Sequence, residues 1–254
     1  MPSVYDLAAL SAAMGLSIYL SLPVVLTKAS HSRSVTLINA AAIGIMVFVL
    51  ADIFADVAGA LYTNPGAPYV ANLRLSLYFV VGVAGCFALL YVLGNRPGAA
   101  ALSPTTTALV VASAIGLQNL TEGLVLGAAW ATGAIGLSSV VFLGFFLQNI
   151  TEGFPITSPL VGREERRVGL VATIFLVGGL PTIFGGIVGF YYNSVSLDVL
   201  FDALAIGAIL YALLPMLRIA LRPAQPPQTA YGKQRLLYAG LLAGFLVGFL
   251  VNAI

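Results

Sequence analysis

The chain has 254 residues, of which 60% are hydrophobic and only 8% charged, against about 25% charged in an ordinary soluble domain. Too little polar surface remains to coat a water-soluble globule, which excludes a soluble enzyme, a nucleic-acid binder and a disordered regulator. At ~20 apolar residues per membrane crossing, the chain reads as an all-α polytopic membrane protein of one eight-span domain over residues 1–254. No stretch between spans exceeds about a dozen residues, so no soluble domain is expected.

The first span is expected near 7–27. Its acidic start at Asp6, with Lys28 and Arg33 after it, argues against a cleaved signal peptide. His31, between Lys28 and Arg33, reads as an exposed loop histidine, because one imidazole far from any carboxylate makes a poor metal site. The second span, near 35–62, ends where Asn64-Pro65-Gly66-Ala67-Pro68 cannot continue a helix. The third, near 73–94, holds Cys86; as the sole cysteine it has no disulfide partner in the chain. Ser103-Pro104 reads as an N-cap followed by proline at the opening helical position of the fourth span, near 104–131. The fifth, near 137–161, carries Pro155, which should kink it. The sixth, near 168–192, contains Gly178, Gly179, Pro181, Gly185, Gly186 and Gly189. It should bend, and carbonyls freed near Pro181 would serve as extra oxygen ligands or merely permit sliding. Ser196 reads as the N-cap of the seventh span, near 197–221. A proline-rich linker over 223–235 leads to the eighth, near 236–253, where Gly240, Gly244 and Gly248 line one close-packing face.

Ten of the eleven basic residues follow odd-numbered spans, and only Arg74 falls on the other side. Cytoplasmic loops carry the Lys/Arg excess, so both termini should lie outside a cell membrane crossed eight times.

Two segments carry the chemistry: Gln118-Asn119-Leu120-Thr121-Glu122-Gly123 on the fourth span and Gln148-Asn149-Ile150-Thr151-Glu152-Gly153 on the fifth. They differ only by Leu against Ile, and each sits deep in its span, where a charge costs at least ~2.5 kcal/mol. Gln118 and Glu122 are four apart and share a helix face, with Asn119 three before Glu122. Folding the two spans as an antiparallel hairpin about Ile135 sets Gln148 level with Glu122 and Gln118 level with Glu152. The two levels are ~6 Å apart at 1.5 Å per residue. Two carboxylates and four carboxamides then form one acceptor-rich cluster of formal charge −2, related by a pseudo-twofold axis as in inverted-repeat transporters. One divalent cation would neutralise it. The bland alternative is a polar network gluing two helices with both glutamates protonated, each bond worth ~0.6–2 kcal/mol.

Asp52 and Asp56 are four apart on the second span, and Asp198 and Asp202 on the seventh. Together they would make an acidic vestibule that concentrates cations outside. Asp56 falls level with Arg74 across the intervening turn, so a salt bridge there competes with a functional role. Asp52 has no such partner in the sequence, and Asp198 suits the first turn of a helix for electrostatic reasons alone.

The motif pair resembles the ZIP family of divalent metal transporters, whose fourth and fifth spans carry His-Asn-x-Pro-Glu-Gly and His-(Asn/Glu)-x-Pro-Glu-Gly. The resemblance implies eight spans in a three-two-three arrangement with an inverted repeat, and termini outside. It also implies metal ligation by Gln118, Asn119, Glu122, Gln148, Asn149 and Glu152, often around two metals, and an elevator-like motion of the bundle holding the fourth and fifth spans. Glutamine replaces both family histidines here, threonine (Thr121, Thr151) both prolines, the sixth span offers no carboxylate, and the histidine-rich loop after the third span is absent.

The expected function is a secondary transporter, not an enzyme, moving divalent cations toward the cytoplasm, with Asp52, Asp56 and Asp202 on the route in. An all-oxygen site suits manganese or ferrous iron beside zinc and should weaken zinc preference. Expected partners are lipid, the metal ion and a second copy in a homodimer, with no nucleic acid. Rival readings are a non-transporting relative, acting as metal sensor or structural subunit, and a carrier of a non-metal solute.

Overall fold

The computed structural model describes residues 3–26, 32–62, 71–94, 103–133, 135–161, 167–192, 194–221 and 229–253. His31, Lys28, Arg96, Arg163, Arg166, Arg222 and the turn at 64–68 lie outside the described residues. Within them there is no strand, and eight helices are long and apolar enough to cross a membrane, which makes this a multi-pass membrane protein. Span 1 is α1 (Val4–Leu16), continued by a 3-10 turn (Ser17–Ser21) and a short α2 (Leu22–Val25). Spans 2 to 5 are α3 (Ser32–Leu61), α4 (Leu73–Gly94), α5 (Pro104–Ala131) and α6 (Ile135–Thr157). Span 6 is split into α7 (Val168–Gly179) and α8 (Pro181–Tyr191). Spans 7 and 8 are α9 (Val195–Ala220) and α10 (Ala230–Asn252).

Helix starts follow local chemistry. Ser103 caps α5 by accepting from the Thr106 N–H at 3.0 Å, with Pro104 at the first position. The eighth helix begins six residues before the apolar run, because Thr229 accepts from the Gly232 N–H at 3.0 Å and the intervening Lys233, Gln234 and Arg235 are good helix formers. Ser196 is not the cap of α9. That helix starts two residues earlier than expected, after Ser194, whose carbonyl takes the N–H groups of Leu197 and Asp198. Pro155 does not end α6 at once: the helix runs on to Thr157 and then tightens into a 3-10 turn over Ser158–Leu160.

Packing places α5 at the centre, with 67% of its apolar window buried, whereas α4 and α10, at 11% and 17%, turn most of their surface outward. The helices form two groups. In one, α5 packs on α7, α8 and α6, and α1 packs on α8 and α6; in the other, α3 packs on α10 and α9, and α4 on α9. Exchanging spans 1 with 6, 2 with 7, 3 with 8 and 4 with 5 maps these pairs onto one another, as an inverted repeat requires. Gly15 of α1 and Gly179 of α7 meet where the two repeats touch, and a Cβ on either would strike the other's carbonyl oxygen. Both glycines stand just before the break in their span, at Leu16 and Leu180. The α10 glycine face packs as expected: a Cβ on Gly244 would run into the Ala41 carbonyl of α3.

Candidate functional site: a buried carboxylate–carboxamide cluster and its acidic cavity

All six motif side chains face inward and are buried, from 0% exposed for Asn119, Asn149 and Glu152 to 4% for Glu122. The antiparallel crossing of α5 and α6 brings them together at mid-span. Gln148 Nε2 donates to Glu122 Oε1 at 3.1 Å, as the hairpin register requires. Gln118 Nε2 reaches the same oxygen at 2.9 Å from one turn below, and Asn149 Nδ2 reaches Glu122 Oε2 at 3.2 Å. Asn119 Nδ2 donates to Asn149 Oδ1 at 2.6 Å and to the Gly178 carbonyl at 3.0 Å. The Gly178 carbonyl beside the span-6 break thus serves the cluster as a hydrogen-bond acceptor.

The motif threonines have a local role. Thr121 Oγ1 donates to the Gln118 carbonyl at 2.6 Å and Thr151 Oγ1 to the Gln148 carbonyl at 2.7 Å, and both helices run unbroken through the motif.

The two copies are not equivalent. Glu122 accepts three well-formed amide hydrogen bonds, whereas the side chains of Asn119, Gln148 and Gln118 lie beside Glu152 without making one to it. Gln118 therefore reaches Glu152 as the register requires, but its amide is directed to its own helix neighbour Glu122, which i,i+4 geometry favours. Gln118 Oε1, Asn119 Oδ1 and Gln148 Oε1 are also without donors. Five of the seven unpartnered buried side-chain polar atoms among the described residues belong to this cluster. Buried acceptors are nearly always satisfied; all five lack a hydrogen or a positive charge. Donor chemistry suits a hard or borderline divalent cation, which takes carboxylate and amide oxygens. Among the described residues no three His, Cys, Asp or Glu side chains form a metal-ligand group; the carboxylates here are a pair, and the carboxamides supply the remaining oxygens.

A cavity of about 460 Å³ leads to the cluster, lined by Asp52, Asp56, Asp198, Asp202, Thr121, Gln118 and Glu122 among others. Its lining runs from Ala60 near the end of α3 and Val195 at the start of α9 to the middle of α5. Asp52, Asp56 and Asp202 thus share one cavity, as the two i,i+4 pairs suggested. Two expectations fail. Arg74 does not pair with Asp56: its guanidinium lies 5.6 Å over the Tyr78 ring, one turn along its own helix, and Nε contacts the Tyr78 hydroxyl at 3.4 Å. Asp52 does have a partner, since Asn252 Nδ2 at the end of α10 donates to it at 2.8 Å. No sequence spacing links two residues 200 apart. Asp198, which its spacing from Asp202 also placed in the vestibule, lines the cavity too. Thr121 was not expected there: it abuts Asp202 only because α5 packs on α9.

No family model matches this chain, and no curated protein matches it. Fold and site together define a multi-pass helical membrane protein with a carboxylate–carboxamide cluster buried at mid-span.

Proposed function

We propose that the protein is a carrier for divalent metal cations, taking them up at the paired motif and releasing them to the cytoplasm. The observation that carries this reading is the set of five donorless oxygens on Gln118, Asn119, Gln148 and Glu152, gathered around two glutamates on antiparallel spans. A network serving only as glue needs no second carboxylate; this one sets Glu152 among the side chains of Asn119, Gln148 and Gln118 with neither oxygen in a well-formed hydrogen bond. The acidic cavity supports the reading, because it connects the face bearing Asp56 with Glu122. By the distribution of basic residues that face is the outside, and a divalent ion moving inward gains about 4.6 kcal/mol per 100 mV at ~2.3 kcal/mol per charge.

The division into two helix groups suits motion of the group holding α5 and α6 against the group holding α3, α4, α9 and α10, as the ZIP resemblance implies. The ligand set is oxygen throughout, so manganese and ferrous iron stand beside zinc as substrates. The Irving–Williams order still gives zinc an edge over both, so its preference is reduced rather than lost. The saturated hydrogen bonding of Glu122 favours a second reading, a non-transporting membrane protein in which the motif clamps α5 to α6. Manganese binding to purified protein, followed by manganese flux into vesicles, separates the two: a carrier shows both, a sensor shows binding alone, and a clamp shows neither.

A further inference from the structure

Helices α3 and α10 run parallel, and four contacts fix their register. A Cβ on Gly240 would strike the Leu37 carbonyl, one on Gly244 the Ala41 carbonyl, and one on Gly248 the Phe48 ring; Asn252 donates to Asp52 at 2.8 Å. The last two pairs are each 200 residues apart, and the same spacing carried back to the helix starts sets Lys233 opposite Arg33. Both belong to the faces that make the seam. Lys233 stands two turns before Gly240, and Arg33 two turns before Ala40, which Gly240 packs against.

Two cations therefore face each other in the first turns of two parallel helices. Like charges at close range repel, and the positive end of each helix dipole disfavours a cation. No carboxylate along either helix compensates: α10 contains no Asp or Glu, and the first on α3 is Asp52, about five turns beyond Arg33. Arg33 is exposed and Lys233 half-buried, so an anion can reach the pair from the helix ends.

The surface that continues from this pair is apolar and faces outward. Leu37, one turn beyond Arg33, and Leu241, two turns beyond Lys233, are 40% and 41% exposed, and Leu242 and Phe249 further along α10 are more exposed still. On a membrane-spanning helix such a surface meets acyl chains. A ligand with an anionic head for Arg33 and Lys233 and hydrocarbon for Leu37 and Leu241 fits both halves, and an anionic phospholipid has that form. A zwitterionic lipid carries the phosphate too, but adds its own cation where the protein already has two.

We propose that the end of the α3–α10 seam where both helices begin is a binding site for an anionic phospholipid, its phosphate held between Arg33 and Lys233. The lipid joins the two helices at the end opposite the Asn252–Asp52 hydrogen bond, so each end of the seam has a polar clasp. The site lies apart from the paired motif, and nothing in it depends on the carrier reading.

Full-length protein in dodecyl maltoside, titrated with dioleoylphosphatidylglycerol and separately with dioleoylphosphatidylcholine, tests this through the thermal unfolding temperature. Phosphatidylglycerol should raise it saturably and phosphatidylcholine should not. Arg33→Gln and Lys233→Gln should each raise the half-saturating concentration of phosphatidylglycerol about fivefold, the effect of one basic residue beside anionic lipid. Arg235→Gln is the control. It removes the same charge from the same helix end, but Arg235 is two residues on from Lys233, about 200° round the helix, with its guanidinium 5.9 Å over the Tyr231 ring. Its half-saturating concentration should stay within about twofold of the unaltered protein's, less than the loss of one basic residue at the lipid. Should one seam variant fail to fold, the other carries the test. Equal stabilisation by the two lipids, or indifference to the seam variants, would overturn the proposal. So would an equal loss in Arg235→Gln, which reports only diffuse attraction to negative charge, or equal protection by inorganic phosphate, which assigns the pair to a free anion.

Discussion

The two copies of the motif make the most informative comparison in the molecule. Their sequences differ by one methyl position, yet Glu122 sits in a cage of three amide donors at the floor of a cavity, and Glu152 is fully buried, with amides beside it but no well-formed hydrogen bond. Near-identical hexapeptides thus hold one tightly bonded and one loosely bonded carboxylate. The difference lies in the neighbours. The cavity between α5 and α9 reaches the α5 copy only, and the short hydrogen bonds of the Asn119 amide go to Gly178 and Asn149 while it also lies beside Glu152.

The largest effect expected is loss of cation uptake. Glu152→Gln and Glu122→Gln keep shape and remove charge, so each should abolish manganese flux in vesicles while the protein still inserts and elutes as a single species. If both variants carry manganese at the normal rate, the shared site is wrong.

Thermal unfolding in detergent separates the copies more sharply. Glu122→Leu strands three buried amide donors at about 1–3 kcal/mol each and should lower the unfolding temperature markedly. Glu152→Leu removes two acceptors that make no well-formed hydrogen bond, so it should cost less than Glu122→Leu. Equal losses in the two variants would contradict the inequality described above.

Replacing Gln118 and Gln148 together by histidine supplies one nitrogen donor to each half. Zinc affinity should rise against manganese, on the order of tenfold or ~1.4 kcal/mol, in competition binding. An unchanged ratio means the two glutamines do not touch the ion. The smallest effect is expected from Asn252→Ala, which frees Asp52 from its α10 donor. Apparent affinity should fall by a few-fold, in keeping with a hydrogen bond to a charged group at a partly exposed position, with maximal flux unchanged; a change in maximal flux alone would place Asn252 outside the cavity's electrostatics.

Much of this protein was legible along the chain because a membrane leaves few options. Backbone groups in lipid must bond within their own helix, so apolar runs bounded by prolines and charges became eight helices close to where they were expected. Helical periodicity alone put Gln118 beside Glu122 and Asp52 beside Asp56, and the hairpin register brought Gln148 to Glu122. What the chain could not disclose were contacts between spans not joined by a short turn. That Asn252 would hold Asp52, that Thr121 would meet Asp202, and that Arg74 would choose Tyr78 over Asp56 depended on how α10, α9 and α4 settled around α5. Those contacts are set by side-chain packing and close approach at residues such as Gly15, Gly179 and Gly244. Local sequence carries no period for such contacts. The inequality of the twin glutamates belongs to the same class, because two like hexapeptides become different only when one faces a cavity and the other faces packed helix.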